Sequence, residues 1–340
     1  MPELAIEARE LTKAFGELVA VDHISFSVRE GEIFGFLGPN GAGKTTTINM
    51  LITLMRPTYG EAWVAGFSVL EEPDEVRKRI GVVFQDPTVD GRLTGWENLW
   101  IHGRMYGLGG SELRERIKEA LELVELERWA HVVVRKYSGG MIRRLELART
   151  FLCEPEVLFL DEPTLGLDPQ TRARIWEYIE ALRREHGMTV FLTTHYMEEA
   201  DRLCDRVAII DHGHIIALGA PEELKRKVGK GVLFVRLASP LHVRRLVELL
   251  RAKGLADDIR PVGRGRIAIF AQDVPSLIPA VLEEAMRAGV PVAEVSYRLP
   301  TLDDVFLSLT GRGLRDAEAG PRERMRAHMM ARARMSRRRR

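Results

Sequence analysis

Gly38-Pro39-Asn40-Gly41-Ala42-Gly43-Lys44-Thr45 decides the fold, because it matches the phosphate-loop pattern GxxxxGK[ST]. It follows Ile33–Leu37, an apolar run typical of a buried strand, and it precedes a helix predicted to begin at Thr46. In such a loop, backbone N–H groups and the helix N-terminus face the phosphates of a nucleotide. Lys44 is then expected to bridge the β- and γ-phosphates, and the Thr45 hydroxyl is expected to ligate Mg²⁺.

A second apolar run, Val157–Leu160, leads directly to two carboxylates, Asp161 and Glu162. Parallel strands bind ligands at their carboxyl ends, so both side chains are expected at the same sheet edge as the phosphate loop. Asp161 is predicted to join the Mg²⁺ shell, and Glu162 is predicted to orient and deprotonate the attacking water. Without the phosphate loop, a simple strand cap would be the better interpretation.

The first 220 residues alternate strands and helices, which predicts an α/β fold with a mostly parallel sheet. Leu4–Glu10, His23–Val28 and Glu61–Val69 are predicted strands without helical crossovers, so an antiparallel β subdomain is expected near the N-terminus. Residues 95–126 have helical spacing and predict an inserted helical subdomain. Val207–Leu218 is predicted to be a hairpin.

The pattern changes after residue 224. Lys225–Lys230 is polar and basic and is predicted to be a linker. The next residues follow the order strand, helix, strand, strand, helix, strand, which indicates a small ferredoxin-like α+β domain. These predicted elements are Val232–Leu237, Leu241–Lys253, Asp258–Val262, Arg266–Phe270, Val274–Arg287 and Val292–Tyr297. A last helix is predicted after the N-cap Thr301, with Asp304 three residues later. It is expected to bury Leu302, Val305, Phe306 and Leu309.

The sequence therefore divides into residues 1–224 (with the helical subdomain at about 86–150), residues 225–310 and a tail at 311–340. The tail has eleven Arg and three acidic residues, a charge of +8. Because the whole chain carries +1, the rest carries −7. The 45% hydrophobic and 29% charged composition excludes a mostly disordered chain, a collagen and a small disulfide scaffold. No apolar run approaches 18 residues, and Cys153 and Cys204 lack CxxC spacing, which favours a reducing cytosol.

Four further elements follow one another along the chain. Gln85 and His195 each end a predicted strand, Ser138-Gly139-Gly140 precedes a helix, and Asp168 follows the carboxylate pair. Each is unremarkable alone, since it could be a surface residue, a helix cap or a packed strand end.

Together, these motifs make residues 4 to about 220 resemble the ATP-binding subunit of an ATP-binding cassette (ABC) transporter. The resemblance implies a Mg²⁺-dependent ATPase in which Phe15 stacks on adenine, and Gln85 and His195 assist Glu162 in catalysis. It implies Mg²⁺ binding by Thr45, Gln85 and Asp161. The implied ATP-binding residues are Phe15, Gly38, Pro39, Asn40, Gly41, Ala42, Gly43, Lys44, Thr45 and Thr46. It also implies a homodimer in which Ser138, Gly139, Gly140 and Asp168 act in trans on the ATP held by the other protomer.

Tyr297–Gly311, Phe84–Pro87 and Leu93–Leu99 are similar to daunorubicin-resistance-type exporter ATPases. These ATPases work with a separate multi-helix membrane subunit. The resemblance implies a peripheral protein at the cytoplasmic face of the cell membrane that powers export of a drug-like or other small amphipathic substrate. Related branches export polysaccharides, nodulation factors or ions.

Several alternatives compete with this interpretation. A soluble ABC-type ATPase acting on nucleic acid or ribosomes usually has two cassettes or a long coiled coil, which this chain lacks. A non-hydrolysing regulatory subunit would be expected to lose Glu162 or His195. The tail could contact anionic lipid or be a solvated extension, and nucleic acid is the weaker option. His212 and His214 could suggest a metal site, but their position in a hairpin turn favours surface residues.

Overall fold

The computed structural model describes residues 3–256, 258–262 and 265–311. The described residues separate into two compact units, which divide between Leu218 and Gly219. Within the described ranges, no helix combines the length and apolar character needed to cross a bilayer. Apart from Gly311, the predicted basic tail at 311–340 lies outside the described residues.

The strands of the first unit are β1 (Leu4–Phe15), β2 (Leu18–Arg29), β3 (Ile33–Leu37), β4 (Tyr59–Val64), β5 (Phe67–Ser68), β6 (Ile80–Val83), β7 (Val157–Asp161), β8 (Thr189–Thr194), β9 (Arg206–Asp211) and β10 (His214–Gly219). The central sheet has the order β10-β9-β3-β8-β7-β6, and the neighbours from β9 to β6 are parallel. The second sheet, β2-β1-β4-β5, is antiparallel. Both sheets and the β9–β10 hairpin confirm the predictions.

The helices of the first unit are α1 (Lys44–Leu51), α2 (Pro73–Arg79), α3 (Gly95–Met105), α4 (Gly110–Leu123), α5 (Gly139–Phe151), α6 (Pro169–His186) and α7 (Met197–Leu203). The predicted helical region at 95–126 contains α3 and α4. α3 begins with a capping box, in which Thr94 and Glu97 satisfy each other's backbone N–H groups. α4 buries Leu113, Ile117 and Leu121, at the helical spacing that predicted it.

The core of the first unit fixes the central strands relative to one another. Every residue of β3, β7 and β8 is buried, as expected for parallel strands covered on both faces. The ring of Phe191 lies 5.6–5.9 Å, centroid to centroid, from four other phenylalanine rings. These are Phe26, Phe34, Phe36 and Phe159. Leu37 is then opposite Thr194, and Asp161 is opposite Thr193. The loops after β3, β7 and β8 therefore meet at one sheet edge.

The second unit consists of α8 (Pro221–Val228), β11 (Gly231–Leu237), α9 (Val243–Ala252), β12 (Asp258–Pro261), β13 (Arg266–Ala271), α10 (Val274–Arg287), β14 (Val292–Arg298) and α11 (Leu302–Thr310). Its sheet has the order β12-β13-β11-β14, with antiparallel neighbours throughout. The predicted order of strands and helices is confirmed. One sheet face packs against residues of α9 and α10 in a common hydrophobic cluster.

Two local predictions in the second unit were wrong. The supposed linker Lys225–Lys230 largely belongs to α8, because its basic residues form the last turn, where positive charge stabilises a helix, and Leu224 is buried. In α11, Leu309 is half exposed, whereas Leu307 is buried against the sheet. The spacing of apolar residues by three or four positions predicted a single buried face on α11. The side of α11 that carries Leu307 is also buried, because it packs against β11 and β13.

Candidate functional site

The phosphate loop turns tightly between β3 and α1, and α1 begins two residues earlier than predicted. Its N-cap Gly43 has a φ of 109°, in the left-handed region that favours glycine. A Cβ at Gly43 would lie 2.6 Å from the carbonyl oxygen of Ala20. The Nζ atom of Lys44 donates to the carbonyl oxygens of Gly38 at 2.8 Å and Pro39 at 3.2 Å. Lys44 is therefore held over its own loop.

Asp161, at the end of β7, connects the phosphate loop with β8. The Thr45 hydroxyl donates to Asp161 Oδ2 at 3.0 Å, and the Thr193 hydroxyl donates to Asp161 Oδ1. Asp161 is buried. The Thr45 hydroxyl and the Asp161 carboxylate thus place hard oxygen ligands side by side, a donor set that suits Mg²⁺.

Glu162 lies between the side chains of Lys44 and His195. Its Oε1 is 3.2 Å from Lys44 Nζ, and its Oε2 is 2.8 Å from His195 Nδ1. The second contact is close but lacks the alignment of a hydrogen bond. Burial raises the pKa of Glu162, but His195 and Lys44 outweigh this effect, and the net pKa lies below its usual value. At neutral pH, Glu162 is therefore a carboxylate.

The backbone at Glu162 is also unusual. Its φ is 48°, a left-handed conformation that costs free energy for a residue other than glycine. Its N–H donates to the carbonyl oxygen of Thr193 at 3.1 Å, which ties this turn to β8. Such strain is common at functional sites because neighbouring contacts hold it in place.

Gln85 is joined to this group through its backbone and through a residue that the sequence analysis missed. Gln85 itself is exposed. The buried guanidinium of Arg143 donates to the carbonyl oxygens of Phe84 at 2.6 Å, Gln85 at 3.2 Å and Glu162 at 3.4 Å. It also pairs with Glu146 at 3.1 Å. Arg143 therefore connects α5 with the segments that carry both Gln85 and Glu162.

Glu146 extends this connection. It is fully buried and accepts hydrogen bonds from the backbone and hydroxyl of Thr88. The available signal was the Arg143–Glu146 pair, spaced i,i+3 in a helix that also carries Arg144 and Arg149. A helix with charges on its buried face needs internal partners for them.

The structure brings Gly140 and Asp168 together at Thr171 of α6, and Ser138 begins the helix that carries Gly140. Ser138 is the N-cap of α5 and accepts from the backbone of Met141. A Cβ on Gly140 would collide with the Thr171 side chain. Asp168, the N-cap of α6, accepts from the Thr171 backbone at 3.0 Å and hydroxyl at 2.6 Å. These hydrogen bonds lower the pKa of Asp168. The two loops therefore form one surface, in which Ser138 and Gly139 are exposed.

The remaining predicted residues have simple surroundings. Phe15 ends β1, is 46% exposed and has Lys13 Nζ 5.3 Å from its ring centroid. His214 contacts Asp22, and within the described ranges no group of three or more His, Cys, Asp or Glu side chains could hold a metal ion. His212 lies in the turn between β9 and β10, and His214 is the first residue of β10.

Glu199 of α7 is a second buried acid that the sequence analysis missed. Its Oε1 accepts from the Thr164 hydroxyl at 2.8 Å and the Trp176 ring N–H at 3.0 Å. Burial raises the pKa of Glu199. Thr164 lies in the loop between Glu162 and Asp168, so Glu199 anchors that loop to α6 and α7.

A cavity of about 340 Å³ opens beside the Gln85 segment. Its wall includes Leu54, Phe84, Thr88, His102, Tyr106 and Arg149. Leu54 and Tyr106 are 65% and 48% exposed. Burial and the charge of Arg149 lower the pKa of His102 to about 4, so its ring is neutral at physiological pH. The cavity is therefore largely apolar and aromatic, with two cations, Arg77 and Arg149, in its wall.

Comparisons with known proteins show the family of the chain. The family described as "ABC transporter" matches residues 21–165, and "ATP-binding protein DrrA1-3-like, C-terminal domain" matches residues 219–310. The daunorubicin resistance ATP-binding protein DrrA2 of Streptomyces coeruleorubidus is 42% identical over 94% of this chain and 99% of its own length. This chain belongs to the ATP-binding subunits of ABC transporters. The Nod factor export ATP-binding protein I of Ralstonia nicotianae is also 42% identical, over 93% of this chain and 96% of its own.

Solved structures place the first unit among ABC cassettes. An ATP-binding subunit of an ABC transporter aligns with a TM-score of 0.60 and 30% identity, over 66% of this chain and 92% of its own. A dimeric cassette in a post-hydrolysis state with ADP and phosphate aligns with a TM-score of 0.58 and 29% identity, over 63% and 98%. The predicted family and the α/β cassette fold are confirmed.

Proposed function

We propose that this ABC ATPase subunit hydrolyses ATP with Mg²⁺ and drives export through a separate membrane subunit. The observation that carries the proposal is the contact of Glu162 with both Lys44 and His195, beside the Thr45–Asp161 pair. This arrangement combines a phosphate-binding cation, a proton acceptor and oxygen ligands for a metal.

ATP would bind through residues 38–46, with its adenine against the exposed ring of Phe15. Its γ-phosphate would compete with Glu162 and the loop carbonyls for the ammonium group of Lys44. Thr45, Asp161 and Gln85 would hold Mg²⁺, which neutralises charge on the β- and γ-phosphates. Once Lys44 contacts the γ-phosphate, it would release Glu162, which could then accept a proton from water.

Glu162 would act as the general base, and His195 would position it. The lowered pKa of Glu162 keeps the carboxylate available at neutral pH. His195, 12% exposed, can contact the carboxylate on one side while the reacting phosphate approaches from the other. Arg143 would keep the Gln85 and Glu162 segments at a fixed separation.

Two protomers would complete two sites. The exposed Ser138–Gly139 surface, supported by Gly140 and Asp168, would contact the γ-phosphate bound by the other protomer. A dimeric arrangement is recorded for the solved cassette cited above. ATP would close such a dimer and hydrolysis would reopen it, a switch held by γ-phosphate contacts.

The membrane partner would dock at the cavity beside Gln85. Exposed Leu54 and Tyr106 offer apolar contact, and the cavity shares Phe84 and Thr88 with the Arg143–Glu146 network. The hydrogen bonds of Arg143 and Glu146 would couple docking at this cavity to the catalytic residues. The chain would then be peripheral, at the cytoplasmic face of the membrane.

The exported substrate would be small and drug-like or amphipathic, in keeping with relatives named for daunorubicin resistance, linearmycin resistance and Nod factor export. These names also favour transport over a soluble ATPase acting on nucleic acid or ribosomes. The tail at 311–340 would contact anionic lipid.

Co-purification from membranes tests the proposal. The tagged chain is expected to retain a multi-helix membrane protein and to hydrolyse ATP only until Mg²⁺ is chelated. Tyr106→Asp should reduce retention of that partner by about tenfold, since a charge enters an apolar contact. Tyr59→Asp, an exposed tyrosine on β4, is the matched control and should retain it. Equal retention by both variants would contradict docking at this cavity, and Mg²⁺-independent turnover would contradict the chemistry.

A further inference from the structure

Among the described residues, β14 forms an exposed edge of the sheet in the second unit. It pairs with β11 on one side and is the last strand in the order β12-β13-β11-β14. Most of its residues are exposed, and Tyr297 and the following Leu299 are 51% and 72% exposed. An unprotected edge strand offers free backbone N–H and C=O groups to another strand. No proline interrupts Val292–Arg298 and no lysine lies in it, although both commonly protect such edges.

The charges of β14 are arranged for pairing with an identical strand. When two copies of a strand pair antiparallel about a twofold axis perpendicular to the sheet, facing residues must point to the same sheet face. The axis therefore lies midway between the two copies of one residue, and that residue names its position. An axis at Glu294 or Arg298 places like charges opposite each other, which is unfavourable. An axis at Val295 or Tyr297 places each charge opposite an uncharged residue.

An axis at Ser296 is different. It places Glu294 opposite Arg298 of the second copy, twice, and Val295 opposite Tyr297, twice. Opposite charges and aromatic–β-branched pairs are the cross-strand combinations that stabilise antiparallel sheets. Ala293 then faces Leu299, which covers that exposed side chain.

The surroundings of both charges support this register. Glu294 pairs with Arg236 on β11 at 2.8 Å, and Arg298 pairs with Asp304 at 2.5 Å while 42% of its side chain remains exposed. Across the joined strands, the row would read Arg236, Glu294 and then Arg298 of the second copy, whose own ion-pair partner is Asp304 of α11. Positive and negative charges would therefore alternate through these four residues.

We propose that β14 joins a second copy of this chain, antiparallel about Ser296, to form a continuous sheet across two second units. This contact is separate from the nucleotide-dependent dimer proposed above and does not rest on it. A seven-residue strand pair is small compared with standard interfaces of about 1,600 Å². We therefore expect a concentration-dependent association that does not require ATP.

Disulfide trapping in the purified full-length protein tests the register. In Ser296→Cys, the two introduced thiols would face each other across the axis, within the 4.5–5.5 Å Cα separation of facing residues, about the distance that a disulfide requires. In Ala293→Cys, the two thiols of the dimer would lie about 20 Å apart. Each cysteine is three residues from the axis, on opposite sides of it, and a strand rises ~3.4 Å per residue. The wild-type protein, with its own Cys153 and Cys204, measures background linking.

Without nucleotide and with a chelator present, Ser296→Cys is expected to form a linked dimer at least ten times faster than Ala293→Cys. Adding Glu294→Arg to Ser296→Cys should slow linking several-fold, because arginine would then face Arg298 twice. Equal linking by the two cysteine variants would overturn the register. A Ser296→Cys protein that does not link and stays monomeric by light scattering would overturn the second copy as occupant and assign the edge to another strand, such as one from the membrane partner.

Discussion

The two units of this chain bury very different side chains. Among the described residues, the first unit buries many charged groups, including Lys44, Arg143, Asp161 and Glu162, whereas Asp304 is the one fully buried polar side chain of the second unit. Burying charge is unfavourable unless partners compensate for it. The buried charges that form the reactive site therefore reduce the stability of the first unit. The second unit is stabilised mainly by apolar packing.

This difference predicts where substitutions will act. Changes to buried charges of the first unit should remove activity, and equivalent changes in the second unit should remove stability or association while hydrolysis continues. The following experiments proceed from the largest expected effect to the smallest.

Mixing two inactive variants tests whether a site needs two first units. Lys44→Ala should lose nucleotide binding, and Ser138→Arg should block the surface that faces the other protomer, so each homodimer should be inactive. A mixed dimer retains at most one intact composite site. Partial recovery of ATPase activity on mixing is expected, provided that one site turns over alone. Full activity in Ser138→Arg by itself would contradict the composite site.

Arg143→Leu tests the connection between the Gln85 and Glu162 segments. Removing one partner of a buried ion pair leaves the negative charge of Glu146 without its cation, which should lower the free energy of unfolding by about 3–5 kcal/mol. Activity should fall at temperatures where the variant is still folded, because two catalytic segments lose their common anchor. Arg114→Leu, at an exposed position on α4, should change stability by less than about 0.5 kcal/mol. Denaturant unfolding and ATPase assays on both variants make the comparison, and matching results would contradict the role of Arg143.

Asp304→Ala gives the corresponding test in the second unit. Asp304 caps α11, accepting from the Thr301 backbone at 2.8 Å, and pairs with Arg298. Its loss should destabilise the second unit by about 1–3 kcal/mol and leave ATP hydrolysis close to normal. Asp303→Ala, whose carboxylate is less buried, is the matched control. Limited proteolysis and ATPase assays measure both effects, and loss of hydrolysis in the folded Asp304 variant would contradict the division of roles.

Removing the tail should have the mildest effect on chemistry. Truncation after Gly311 keeps the residue whose N–H closes α11, through its bond to the carbonyl oxygen of Leu307. ATPase activity should be unchanged. Sedimentation with anionic liposomes should weaken, because each basic residue near such a surface contributes about 1 kcal/mol, and added salt should mimic the loss. Equal sedimentation of truncated and full-length proteins would show that the tail is a solvated extension.

Sequence alone predicted the parts of the site that follow from strand order. Residues at the carboxyl ends of neighbouring parallel strands must meet, so Lys44, Asp161 and Glu162 could be grouped before their distances were known. His195 was added to this group only through the resemblance to ABC ATPases. Arg143 and Glu199 could not, because charge within a helix is usually a solvated face. Only the packing of α5 and α7 shows that these side chains point inward.

Errors in the second unit have a related cause. The basic run at the end of α8 resembled a linker because its charges were interpreted by composition rather than by position in the last helical turn. Likewise, Leu309 was assigned to the core from spacing alone, whereas the arrangement of α8 and the sheet around α11 determines which side is covered. Local pattern identifies an element more reliably than it identifies the neighbours of that element.

The central claim is that Glu162 is the base for ATP hydrolysis. Glu162→Gln keeps the size of the side chain and removes its capacity to accept a proton, and Glu198→Gln makes the same change at an exposed position on α7. We expect Glu162→Gln to bind ATP normally, to lose turnover by ~10² or more and to accumulate as an ATP-bound dimer, while Glu198→Gln behaves as wild type. ATPase activity of Glu162→Gln within a few-fold of wild type would contradict the account.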